Sequence, residues 1–158
     1  MTVVEALHAM PLAVALRSIP WLYPTVETLH IAAIGLLFGS IVIVDVRVLG
    51  FSRSLAVRQL ARLALPWTLL AFLAAVVTGS LLFLAHANDL IGNRVFLFKL
   101  VLISLAGVNA AMFHTGPYAK VAEWDTGYAA PAAARLSAGL SISLWFAVIA
   151  CGRWIAYA

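Results

Sequence analysis

The chain has 158 residues, 65% of them hydrophobic and 10% charged, with a formal net charge of +4. A soluble domain carries about 25% charged residues, so this composition leaves too little polar surface for free solution and points to an integral membrane protein. The positive charge comes without a basic run interleaved with aromatics and gives no reason to expect nucleic acid, because membrane proteins gather Lys and Arg in cytoplasmic loops. A single cysteine, Cys151, excludes an intrachain disulfide, and no Cys/His spacing fits zinc.

The first segment, MTVVEALHAMPLAVALRSIPWLYP, does not read as a cleaved signal. Glu5 stands where a basic region belongs, and Pro11 interrupts the apolar run. It predicts a short N-terminal interfacial helix, with Trp21 and Tyr23 as an aromatic anchor at headgroup level. Four apolar runs follow, at about 25–49, 64–86, 95–114 and 135–157, each long enough to span. Pro66 falls in the first turn of the second run, where a missing N–H costs little. The polar turn HANDLIGNR joins the second run to the third, and the longer HTGPYAKVAEWDTGYAAP joins the third to the fourth. Short loops join antiparallel neighbours, so the expected fold is all-α: an integral-membrane up-down four-helix bundle, one domain over 1–158.

Charge sets the orientation. Arg47, Arg53, Arg58, Arg62, Lys120 and Arg135 flank the first and third connections, against Arg17, Arg94, Lys99 and Arg153 on the opposite side. The bias predicts that these two connections are cytoplasmic and that both termini lie outside.

Each span carries polar positions on one face. At 100° per residue, Glu27, Ile34, Leu37, Ile41 and Asp45 align with His30, while Thr28, Ala32, Gly35 and Gly39 lie opposite and predict a packing seam for another helix. Lys99, Ile103, Gly107, Ala110 and His114 share a face of the third span, and Ser137, Ser141, Val148 and Cys151 one of the fourth. In the second span Gly79 shares a face with His86. Ionisable groups are costly in hydrocarbon and usually face a bundle interior. Such an interior holds a flat cofactor or simply packs tightly.

Depth sorts these groups. His30, His86, Arg94, Lys99 and Arg153 lie toward the outer side, and Asp45, Arg47 and His114 toward the cytoplasm. His30 and His114 are ~20 Å apart in depth at 1.5 Å per residue, so one iron cannot bind both. His30 is the leading metal ligand, since a neutral imidazole is the commonest biological metal ligand and haem iron accepts one axially. Lys99 or His86 is the candidate for the opposite side of the metal. Lys99, Arg94 and Arg153 are alternatively partners for haem propionates. Glu27 and His30 form an E-x-x-H pair, but a di-iron site needs that pair twice plus two further Glu, and the chain has three Glu in all. Asp45 and Arg47 read as an ordinary charged boundary. His114 reads as a helix cap, with a separate inner metal site as the lesser alternative. No GxSxG, HExxH, phosphate loop or Met-rich copper ladder is present.

Three stretches, LHIAAIGLLFGSIVIVDVRVLG, NRVFLFKLVLISLAGVNAAMFH and GRWIAY, resemble a group of uncharacterised bacterial four-span proteins over nearly the whole chain. More distantly the layout resembles the copper-resistance protein D family and the bacterial haem-dependent protoporphyrinogen oxidases. Both have a histidine early in one span and an F-x-K-L-like start to a later one, here at His30 and Lys99. In the oxidases such a His and Lys are tied to haem b and activity. The chain departs from them where IVDVRVLG replaces an aromatic YLPR-like stretch, and it lacks their C-terminal Asn-Glu-x-Pro segment. The resemblance implies a bacterial inner-membrane protein that binds haem b and has a redox or electron-transfer role. Its partners would be the lipid bilayer and a membrane or periplasmic redox protein, with room for a homo-oligomer. Two other readings stay open: a copper-handling or small-solute protein using His30 and His86, and a structural or accessory subunit without a cofactor.

Overall fold

The computed structural model describes residues 3–157; Met1, Thr2 and Ala158, inside the expected single domain, lie outside the described residues. Among the described residues there is no β-strand. Two short helices, α1 (Val3–His8) and α2 (Pro11–Ser18), stand where one interfacial helix was expected. Four long helices follow: α3 (Leu22–Leu49), α4 (Val57–Ala85), α6 (Arg94–Thr115) and α7 (Ala132–Trp154), with the one-turn α5 (Ala87–Leu90) between α4 and α6. All four are long and apolar enough to cross a membrane. The protein is an all-α, up-down four-helix bundle of the integral-membrane type.

The spans exceed their hydropathic cores. At 1.5 Å per residue α4 is ~43 Å long, against ~30 Å of hydrocarbon. Its helix starts at Val57, well before the apolar run, because Val57 and Ala61 are buried at the base of the bundle. Pro66 therefore sits inside the helix and not in its first turn. The N-cap, Ala56, offers no side-chain cap. Asp125, far away in sequence, does that work: its carbonyl accepts from the Val57 N–H at 3.2 Å and its Oδ1 from the Arg58 N–H at 2.8 Å. By contrast α6 is capped locally, since Asn93 Oδ1 accepts from the N–H groups of Val95 and Phe96 at 2.9 and 3.0 Å. At the end of α3, Gly50 adopts φ +116, a left-handed conformation that closes the helix and turns the chain toward α4.

Packing is uneven around the bundle. α3 packs along α4, α6 along α7, and α3 against α7, whereas α4 and α6 do not form a packed pair. The α3–α4 register is fixed by two side-chain bonds ten residues apart on both helices, Ser40–Thr68 and His30–Thr78, each 2.8 Å. We call the end with the α4–α6 turn, α2 and the end of α7 the upper end, and the other the lower end. Arg17 fastens α2 to the upper end of α4 by donating to the Ala85 carbonyl at 3.3 Å. The lower end is plugged by a cluster in which Val48, Val57, Trp124 and Ala134 are buried. Trp124 and Val121 come from the third connection, read from sequence as loop; a 3-10 helix at Pro117–Glu123 folds it back beneath the bundle.

Candidate functional site

The gap between α4 and α6 is a cleft of about 490 Å³ in the lower half of the bundle. That is the size range of small-molecule sites, ~300–1,000 Å³. Three features make it. The upper ends of α4 and α6 touch through stacked rings, Phe83 and Phe96, with centroids 5.5 Å apart. Below them Phe72 and Trp145 meet edge to face at 6.5 Å and roof the cleft. The walls then carry small side chains, Ala61 and Ala64 on α4 and Ala106, Gly107, Ala110 and Ala111 on α6, which leave the space unfilled. Leu65 and Leu69 on one rim and Ala110 and Ala111 on the other are exposed, so the cleft opens sideways toward lipid.

Its polar groups are few and mostly committed. Ser40 and Thr68 bond to each other. Asn109, 9% exposed, donates to the Ser137 carbonyl at 3.0 Å and accepts from the Ser137 hydroxyl at 2.9 Å, tying α6 to α7. Asp45 of α3 is among the residues lining the cleft, with Ser141 of α7 against its carboxyl; its Oδ2 is fully occluded and makes no hydrogen bond. His114, at the lower rim, has Nδ1 2.8 Å from the Ala110 carbonyl. A carbonyl only accepts, so Nδ1 carries the proton and Nε2 is left as a lone-pair acceptor or metal ligand. The ring is held between Phe113 and Tyr118, with centroids 5.4 and 5.3 Å away.

The upper layer holds His30. Its Nδ1 lies 2.8 Å from the Thr78 hydroxyl, and that hydroxyl donates to the Ala74 carbonyl at 2.6 Å. The imidazole therefore donates from Nδ1, and its Nε2 is free of a proton. The ring packs onto Gly79, where a Cβ would come within 3.0 Å of Cε1. Lys99 of α6 is half-buried, and its Nζ lies 3.5 Å from where a Cβ on Gly152 would be.

The other residues singled out from sequence are not in this group. His86 is exposed and its ring meets Tyr23 edge to face at 5.2 Å. It stands eight residues beyond Thr78 on α4, ~12 Å further up at 1.5 Å per residue. The structure thus does not bring together the His30–His86 pair on which a copper site would rest, and among the described residues no three His, Cys, Asp or Glu side chains converge. Arg94 is exposed at the start of α6. Arg153 is exposed and turned to Tyr157, donating to its hydroxyl at 2.7 Å. Glu27 is exposed.

Two sequence readings need correction. Gly35 and Gly39, expected to form a packing seam, are exposed, and a Cβ on either would meet nothing within 4 Å. Arg47 is not the ordinary charged boundary expected from sequence. It is 2% exposed and donates to the carbonyls of Leu55, Arg53 and Asp125. Asn109 went unremarked in the sequence. Its signal was a carboxamide inside an apolar span, one position from the face already drawn through Ala110 and His114.

The chain belongs to a family of unknown function (DUF6644), whose model matches residues 6–158. No curated protein and no solved structure matches it.

Proposed function

We propose that the protein binds a flat, largely apolar, lipid-soluble molecule in the cleft between α4 and α6. The observation that carries this reading is a laterally open, small-walled space of about 490 Å³ whose lining is mostly apolar, with Asp45 and His114 among its few ionisable residues. The apolar body of a ligand would replace lipid against the Ala, Gly and Leu walls. In the orientation favoured by the arginine bias, the cleft opens to the inner leaflet of a bacterial inner membrane, with both termini outside.

The test uses a cleft-filling substitution. Gly107 lines the cleft, and a Cβ there would meet nothing within 4 Å. Gly107→Leu should fold with an unchanged melting temperature and lose the small molecule that organic extraction and mass spectrometry recover from the wild-type protein. Retention of that molecule at full stoichiometry would refute the cleft as the site.

A second reading, b-type haem with a redox role, is favoured by the tautomer of His30. Thr78 takes its Nδ1–H and leaves Nε2 able to ligate, the arrangement that orients a metal-bound imidazole. These residues fit the group in part: His30 would hold its iron and Lys99 would serve as a second ligand or a propionate partner, while His86 packs against Tyr23, Arg94 is exposed and Arg153 is turned to Tyr157. Haem would supply one-electron transfer; the chain supplies the fixed ring, the glycine surface of α4 and the Lys99 ammonium. The optical spectrum of purified protein decides. A Soret band that shifts on reduction and disappears in His30→Ala, but not in His114→Ala, supports the upper site; a full haem complement in His30→Ala rejects it.

A further inference from the structure

We infer that the molecule taken up by the cleft is an anionic amphiphile, whose acidic group lies below the cleft against Arg58 and Arg62. This rests on the cleft reading above and adds the charge of the ligand and the direction in which it lies. The lining carries no lysine or arginine, so an acidic group has no counter-ion inside the cleft. The foot of α4 supplies one. At 100° per residue Arg58, Arg62, Leu65 and Leu69 fall within about 60° of one another on α4. Leu65 and Leu69 line the cleft, and all four side chains are exposed. Arg58 stands three residues below Ala61, and Arg62 three below Leu65, ~4.5 Å in each case. Helical side chains lean toward the N-terminus, which in α4 is the lower end, so both guanidinium groups sit beneath the cleft, on the headgroup side of it. Neither has a side-chain partner among the described residues, and like charges four apart on a helix repel. Two carboxylates belong to the neighbouring segment: Asp125 turns its Oδ1 to the Arg58 N–H, and Glu123 is exposed. Lys120 adds a third exposed cation on the 3-10 helix that packs against α4. A carboxylate or phosphate between the two arginines removes their repulsion and matches the planar fork of a guanidinium. Such a molecule keeps its charged end at the interface while its apolar body enters sideways past Leu65 and Leu69.

The probes are pyrenebutyrate and pyrenebutanol, flat molecules that differ only in the charged group. Their binding to the whole protein in phosphatidylcholine nanodiscs is measured by calorimetry at neutral pH, with empty nanodiscs subtracted for partitioning. The wild type should bind the acid at least ~5-fold tighter than the alcohol, a difference of about 1 kcal/mol. Arg58→Gln and Arg62→Gln, each altered at an exposed side chain, should each narrow the preference. The double variant should bring the two affinities together while both probes still bind. Arg135→Gln is the control for the general positive charge of the lower end. It is exposed near the start of α7 and two residues from Ser137, hence on the other side of that helix, and should keep the preference. Gly107→Leu should lose both probes. Equal wild-type affinities, a preference that survives the double variant, or one that falls as far in Arg135→Gln would overturn the anionic assignment and leave the cleft reading standing. Wild-type binding of neither probe, with a neutral molecule recovered by extraction, would do the same. Binding of either probe undiminished by Gly107→Leu would instead refute the cleft itself.

Discussion

Arg47 shows how much one residue can organise when burial leaves its donors no alternative. It stands near the end of α3, yet its guanidinium reaches three backbone carbonyls, two in the first lower connection and one, Asp125, in the second. Asp125 in turn caps α4. Lysine has no planar fork and could not serve all three. Arg47→Lys should therefore lower stability by about 2–3 kcal/mol, from charged hydrogen bonds lost in a buried setting; the melting temperature in detergent, compared with that of Arg53→Lys at an exposed position, is the check. A second residue-scale prediction concerns Gly79. A methyl there meets His30 Cε1 at 3.0 Å, so the ring must move or α4 must shift. Gly79→Val should cost about 1–3 kcal/mol through overpacking. In the His30→Ala background the same change should cost markedly less, and a double-mutant cycle measures the difference. Additive losses would mean that the two do not touch.

At the scale of the element, α3 presents unlike faces, and the structure reverses the ranking that glycine spacing suggests. Leu37 is 3% exposed against its neighbours, whereas Gly35 and Gly39 look outward. Leu37→Ala leaves a cavity and should cost about 2–5 kcal/mol. Gly35→Leu and Gly39→Leu add side chains to open space and replace a poor helix former, so they should be neutral or slightly stabilising in detergent. Thermal unfolding of the three variants in parallel tests this, and a larger loss for either glycine change would show a helix seated on that face. The third connection makes a similar point about elements. Its Gly and Pro content marks a break in helix, and that reading holds, but the same segment sends Val121 and Trp124 into the lower plug.

For the whole molecule, the parting of α4 from α6 below the Phe83–Phe96 stack matters most. A bundle closed on all four sides would have no lateral route; this one is held open by small residues and roofed by Phe72 and Trp145. Orientation belongs to this scale as well. A reporter fused after Ala158 should be active only outside the cytoplasm, and one inserted near Ser54 only inside. The inverse pattern would move the cleft to the outer leaflet and reverse the orientation drawn from the arginines.

Class, span number and antiparallel order were legible in the residues alone, because hydrophobic length and loop shortness are one-dimensional properties that a bilayer converts directly into topology. The separation of His30 from His114 by depth followed for the same reason, from a fixed rise per residue. What the sequence could not decide was which neighbour each helix face meets. Periodicity places Gly35 and Gly39 opposite His30, but whether that side meets a helix or lipid depends on how four cylinders pair, and small residues serve either outcome. It marks Asp45 and Arg47 as charged and near a helix end without saying that one lines a cleft and the other meets three carbonyls, one of them 78 residues away in the chain. Tertiary packing made those assignments, since hydrogen-bond satisfaction and unfilled volume are set by the distances between helices and not by the order of residues within any one of them.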